Sequence, residues 1–422
     1  MFVNSGGATI DTQGFDAGFT NNLFDGGGGL TKNGTGTLTL NNVANSYAGA
    51  TVVNAGTLVF KSDTITSSIS VSSNATVVYD SLVVRNVVGI SGAGNAEFKG
   101  VQDGFYSLAT SLTHSGTTTI NMTPGSEAFY GTLFVQSANK LSANSVLNVL
   151  SGKVNLRADQ TIAGLSGSGG YVTTDDDSAA ASVLTINTAT GQTHSYSGVV
   201  GTTPDAYNNS TISITKTGEG TQVLSGNNTY TGYTTVSDGT LALSGGSAIL
   251  DSGILVINSP SVVNLTGNET VGQLFFGDLQ LAAGNYTNSS HPSYFTGSGM
   301  LIVENGPVGD YATWANDNVE GQAANLDFDG DGLGNGVEFF MGTDGAAFTA
   351  NPQLVAGVIT WARASGTIIG SFMVEVSSNL VDWTDASATY PGSVDTTSDL
   401  NEVVFTTPTG EDKLFVRLSV TP

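Results

Sequence analysis

The sequence predicts an all-β fold dominated by a right-handed parallel β-helix, a β-solenoid, and three observations carry that expectation. Two stretches about 180 residues apart are near-copies: LTKNGTGTLTLNNVANSYAGATVVNAGTLVF from Leu30 to Phe60, and ITKTGEGTQVLSGNNTYTGYTTVSDGTLAL from Ile214 to Leu243. Lys32 aligns with Lys216, Gly36 with Gly220 and Leu40 with Leu224. After a one-residue slip, Tyr47 aligns with Tyr230 and Gly49 with Gly232. A unit of this size cannot bury its own apolar face, so it stacks on a neighbour. Second, residues 1–303 are a succession of short runs such as TLTL (37–40), ATVVY (75–79), KVNL (153–156) and GILVI (253–257). They alternate apolar with Thr or Ser, the period of a strand with one buried face. Third, Gly contributes 56 of 422 residues, placed with Asn and Asp at the breaks, where tight corners need backbone conformations that Gly adopts freely.

Each element follows from that frame. Leu38, Leu40, Val223 and Leu241 are expected to point inward as apolar columns, with the interleaved Thr and Ser forming hydroxylated ladders outside. Tyr47 and Tyr230, at equivalent repeat positions, are expected to pack at coil corners.

Composition narrows the partners. Lys plus Arg number 11 against 35 for Asp plus Glu, a net charge of −24. Phosphate backbones and anionic lipid surfaces repel such a chain, so no nucleic-acid partner is expected; divalent cations and neutral glycans remain compatible. With no Cys, disulfides, thiolate metal sites and thiol catalysis are excluded. No segment approaches the ~20 apolar residues of a membrane helix, so no membrane span is expected. The segment Met1–Gly7 lacks the basic start and apolar run of a signal peptide, and ATIDTQG (8–14) already reads as strand and turn, so the chain is expected to start inside a repeat array.

GGLTKNGTGTLTL…NSYAGATVVNAGTL resembles the autotransporter-associated β-strand repeat, also called the passenger-associated transport repeat, of bacterial surface proteins. QTIAGLSGSGG (160–170) and LTINTATGQTHSYSGVVG (184–201) are similar to inter-repeat segments of that family, and DLQLAAGNYTNSSHPSYFTGSGMLIV (278–303) to the terminal coil of such arrays. The resemblance implies an extracellular or cell-surface location and a display or adhesion role. Family members that secrete themselves end in an outer-membrane barrel of ~10-residue strands. The residues after 303 do not read that way, and this chain is not expected to carry its own translocator.

A boundary is expected near Glu304–Pro307, dividing a solenoid (1–303) from an acidic linker (304–350) and a C-terminal β-sandwich (351–422). Between Glu304 and Asp344 there is no Lys or Arg. YATWAND (311–317) and VEFFM (337–341) read as short helices. Between them, DFDGDGLGNGVE has the spacing of a twelve-residue EF-hand calcium loop. Asp327, Asp329 and Asp331 stand at positions 1, 3 and 5. Gly332 permits the sharp turn at 6, Leu333 offers its carbonyl at 7, Asn335 stands at 9, and Glu338 closes the shell at 12. Alternate side chains on a coiled loop converge, as a hard cation with six to eight oxygen ligands requires. Ca²⁺ is the expected cofactor, in a structural role that orders the joint between solenoid and sandwich. The loop also resembles those of dockerins and thrombospondin type 3 repeats, which use two or more copies where this chain has one.

The C-terminal runs VITWA (358–362), FMVEV (372–376), EVVFTT (402–407) and KLFVRLSV (413–420) alternate as antiparallel strands. Trp361 and Trp383 are the expected core anchors, and the module resembles the fibronectin-like modules of secreted bacterial chains. No catalytic residue is assigned. His114, His194 and His291 lie in separate segments, and no Gly-x-Ser-x-Gly elbow occurs. Asp175, Asp176 and Asp177 form the other acidic cluster and read as a solvated loop tip. The expected function is a non-enzymatic, exported structural or adhesin-like protein whose partners, besides calcium, are glycans or proteins of a cell surface or matrix. The alternative is a β-helix that binds or degrades polysaccharide, which calls for a groove of carboxylates beside an Arg or Lys.

Overall fold

Side-chain alternation and backbone pairing together build the first unit. The computed structural model describes residues 2–41, 45–61, 68–81, 85–100, 105–123, 131–174, 181–203, 211–281, 283–305, 311–364, 371–397, 399, 401, 402–410 and 413–421. The chain divides into two compact units, Met1–Leu279 with Gly284–Glu304, and Gln280–Ala283 with Asn305–Pro422.

The first unit is a parallel β-solenoid. Strands Ala8–Asp11, Leu30–Asn33, Thr51–Val53, Ile69–Val71 and Ile90–Gly92 pair in sequence order in one sheet. They start about twenty residues apart, one rung per turn. A second face runs through eight strands from Ala17–Phe19 to Gly164–Ser166, and a third through six from Arg85–Asn86 to Val199–Val200. Ladders of the same kind continue to Gln273–Phe276 and Phe295–Gly297.

Parallel in-register pairing places like positions above one another. Ala17, Leu38, Leu58, Val77, Ala96, Thr118, Leu147 and Leu165 form one column. Leu40, Phe60, Tyr79, Phe98, Ile120 and Val149 form the next. In that second column the Phe60 and Tyr79 rings lie 6.0 Å apart and Tyr79 and Phe98 stack at 5.2 Å. Each fully buried aliphatic side chain in such a column contributes about 1.5–3 kcal/mol. Leu38, Leu40 and Leu241 are buried, as expected.

Val223 corrects the expectation. It is half-buried on the outer face, and Gln222 takes the inward place. The register settles this: Gln222 pairs with Leu241, and Val223 with Ala242. Gln222 fills a gap in the ladder. Its Oε1 accepts from Leu165 N (3.0 Å) and its Nε2 donates to Leu165 O (2.7 Å), sealing the place where strand Gly164–Ser166 meets strand Thr193–Tyr196. The buried amide is therefore fully engaged, which makes it tolerable inside.

Among its described residues the second unit holds two three-stranded antiparallel sheets. Val358–Ala362, Glu402–Thr406 and Val394–Asp395 form one, and Ser371–Ser377, Phe415–Thr421 and Thr384–Asp385 the other. Trp361, Val374, Val376, Val403, Phe405 and Leu418 make the core. Trp383 is not in it. Its ring stacks under Arg417 at 4.1 Å, and its Nε1 donates to Leu380 O. Residues 305–350, expected as a linker apart from the sandwich, share this unit. Their two helices are α1 (Tyr311–Asn318) and α2 (Asn335–Met341), and Phe340 of α2 is buried in the sandwich core.

Candidate metal centre

The acidic loop runs from Asp327 into α2, and its shape follows from its own side chains. Asp327 accepts from Gly330 N (2.8 Å) and Gly332 N (2.9 Å). Asp329 Oδ1 accepts from Asp331 N, and Asp331 Oδ1 from Leu333 N. Gly330 (φ 81°) and Gly332 (φ 98°) take the left-handed turns that would strain any other residue. These bonds coil the loop so that carboxylate oxygens of Asp327, Asp329 and Asp331 lie within 4.8 Å of one another.

Three carboxylates this close repel unless a cation stands among them. Glu338, in α2, lies outside that group of three but feels the charge of all three aspartates. It is fully buried, and neither carboxylate oxygen has a hydrogen-bond partner; Asp329 Oδ2 is likewise buried and unpartnered. Burial first, then Asp331, Asp329, Asp327 and Asp344, pushes the Glu338 carboxyl up to about 7. Buried carboxylate oxygens without donors are costly, and the three clustered aspartates are oxygen ligands of the kind a hard, multiply charged cation takes.

Asn335 and Leu333, the other two expected ligands, are both buried. Asn335 is buried, but its Oδ1 accepts from Phe328 N and its Nδ2 donates to Ala323 O, so its side chain is engaged with the loop backbone. Leu333 is buried at the end of the loop, and its N–H is held by Asp331 Oδ1. Asp331 Oδ2 also accepts from Thr349 N (2.6 Å), which ties the segment after α2 to the loop. The helices are clamped by aromatic contacts, Tyr311 to Phe339 at 5.5 Å and Trp314 to Phe339 at 5.6 Å.

Asp175, Asp176 and Asp177 lie outside the described residues. Tyr47 and Tyr230 are buried and equivalent, with hydroxyls bonded to Thr51 Oγ1 (2.7 Å) and Thr234 Oγ1 (2.6 Å). Burial raises both phenols, Tyr47 to about 12.

Sequence reasoning aligned Lys32 with Lys216 but assigned them no role. Both are fully buried. Lys32 Nζ donates to the carbonyls of Asn33, Gly34 and Ala55 and to Thr12 Oγ1. Lys216 Nζ donates to the carbonyls of Thr217, Gly218 and Asp238. Each ammonium therefore pins its own turn to the turn of the next rung. Burial pulls Lys216 down to about 8, with Asp238 opposing. The signal was present: a charged residue at an inward position of both copies of an otherwise apolar pattern.

Residues 30–60 and 214–243 each match the passenger-associated-transport-repeat family, and the matched segments are the two near-copies. The chain matches no curated protein and no solved structure. No described helix is long and apolar enough to cross a membrane.

Proposed function

We propose that this is a surface-exposed, passenger-type structural protein: an exported β-solenoid that displays a polar face for adhesion, with a calcium-stabilised C-terminal unit. The observation that carries the reading is that each passenger-associated-transport repeat forms two consecutive rungs paired in parallel on two faces of the solenoid unit. Such repeats belong to autotransporter passenger domains, which lie outside the cell. The outer positions of the ladder support display. Thr161, Thr185, Thr215 and Thr235 stand in outward register on successive rungs, as do Thr37, Thr57 and Thr76. A neutral hydroxyl surface of this kind suits glycans or protein backbones better than nucleic acid. The test is protease shaving of intact producing cells, with an epitope tag after residue 421. Loss of the tag signal without lysis supports the reading; full protection of the tag until the cells are broken refutes it.

Within the C-terminal unit, Ca²⁺ is the proposed structural cofactor, held by Asp327, Asp329, Asp331, Glu338 and the Leu333 carbonyl, with Asn335 bracing the loop. Phe340, two residues beyond Glu338, sits in the sandwich core, so filling the site and packing the unit are coupled. Calorimetry of the full chain with Ca²⁺, wild type against Asp329→Ala, tests this. Equal heats from the two proteins would remove the site. We assign no catalytic residue.

A further inference from the structure

The parallel run ends in a cap. Strand Met300–Val303 pairs parallel with Glu269–Val271 and antiparallel with Gly284–Thr287, so the three form a small sheet of their own. At the foot of this cap lies Glu269, 1 % exposed. Its Oε1 accepts from Ile249 N (2.6 Å), one rung back, while its Oε2 is buried without a partner.

Elsewhere the same kind of corner is filled by an amide. Asn228 accepts from Val200 N (2.7 Å) and donates to Ala248 O (2.7 Å). Gln160 accepts from Lys140 N and Leu141 N and donates to Ser137 O and Ala158 O. Both are uncharged groups that hold adjacent rungs together. An ionised carboxylate offers no donor and carries a charge into an apolar site; a protonated carboxyl group has the amide's neutrality and shape.

We propose that Glu269 is an acid latch: it closes the terminal rung as a neutral carboxyl group, and its ionisation loosens the capping strands Met300–Val303 and Gly284–Thr287. The surroundings favour the neutral form. Burial pushes the carboxyl up to about 7, the Ile249 and Ala248 N–H groups oppose, and Asp251 pushes the same way as burial. The other titratable groups on the packed elements are Tyr230, whose hydroxyl is bonded to Thr234, Tyr286 on the outer cap strand, and the exposed Glu304 beyond the inner one. None of these is a cation. The carboxyl stays protonated in the fold up to about 7, whereas in an opened chain it ionises near 4.5. Stability of the cap therefore falls as pH rises through that window and stays low above it. An opened cap bares the parallel edge at Glu269–Val271, which invites pairing with another strand.

The experiment is amide hydrogen exchange on the full chain at pH 5 and pH 8, corrected for intrinsic rates, comparing wild type with Glu269→Gln. In the wild type, opening at Ile249, Leu301 and Ile302 is expected to rise at least about tenfold between the two values; in Glu269→Gln it is expected to be flat. Carbon-13 NMR of the wild-type Glu269 carboxyl supplies a reading that needs no variant. Titration above about 6 supports the latch. Titration in the ordinary carboxylate range, or an identical pH response in both proteins, overturns it.

Discussion

Replacing Lys216 by Met tests the pinning of one rung to the next. The substitution keeps the stem and deletes the ammonium, so the carbonyls of Thr217, Gly218 and Asp238 lose a donor. Thr217 O still accepts from Thr188 N, which leaves Gly218 and Asp238 as the exposed loss. Each buried carbonyl without a donor costs about 1–3 kcal/mol. Against this stands the released cost of holding a charge in the interior, which the lowered Lys216 affinity for its proton reveals. The net expectation is a destabilisation of about 2–4 kcal/mol, centred on the turns at 217–220 and 238–239. Because stacked rungs open locally, hydrogen exchange at those turns is the sharper assay, with urea unfolding beside it. Lys61→Met is the control. That side chain is 48 % exposed and pairs with Asp80 at 3.4 Å, so its loss is expected to cost at most about 0.5 kcal/mol. Lys32→Met is expected to mirror Lys216→Met, and the two to add, since the sites share no partner. If Lys216→Met proves as stable as the Lys61→Met control, the ammonium pin is wrong.

Four further outcomes are expected. Gln222→Leu installs the residue that the first repeat carries at Leu38, yet strips Leu165 N and O of their partner, and is expected to cost about 2 kcal/mol in chemical denaturation. Gly232→Ala is expected to lower stability by about 1–3 kcal/mol, because a Cβ there would overlap the Ile212 carbonyl; a neutral result would contradict the close rung contact. His114 is fully buried with its Nε2 3.0 Å from Thr118 Oγ1, and burial lowers it to about 4. The unfolded chain takes up that proton near 6.5, so stability is expected to fall as pH drops from 6.5 to about 4, and His114→Gln to flatten that slope in thermal melts. Added Ca²⁺ at a hundredfold excess over its dissociation constant is expected to stabilise the C-terminal unit by about 2.7 kcal/mol, an effect that EDTA or Glu338→Gln should abolish in a calorimetric scan.

How much of this was legible differs from element to element. The helices 311–317 and 337–341 were readable from their aromatic and apolar spacing, and α1 and α2 lie there. The carboxylate cluster was readable because Asp327, Asp329 and Asp331 sit within one local loop, where sequence spacing sets geometry directly. The hydrogen-bond partners of Asn335 were not, since Phe328 and Ala323 reach it only through the way the loop folds back on itself. Trp383 was misplaced because an aromatic ring stacks on a cation as readily as it enters a core, and only the pairing of Ser371–Ser377 with both Thr384–Asp385 and Phe415–Thr421 brings Arg417 over it.

Chain order alone determined that the described residues up to Val303 are short strands between turns, and which side chains recur, because alternation and turn chemistry act over a few bonds. Folding in space decided what meets across twenty or fifty-seven residues: Gln222 with Leu165, Lys216 with Asp238, Glu269 with Ile249. The physical reason is that a rung is stabilised by its neighbours above and below, and a single strand carries no record of which neighbour will leave a backbone group in need of a partner.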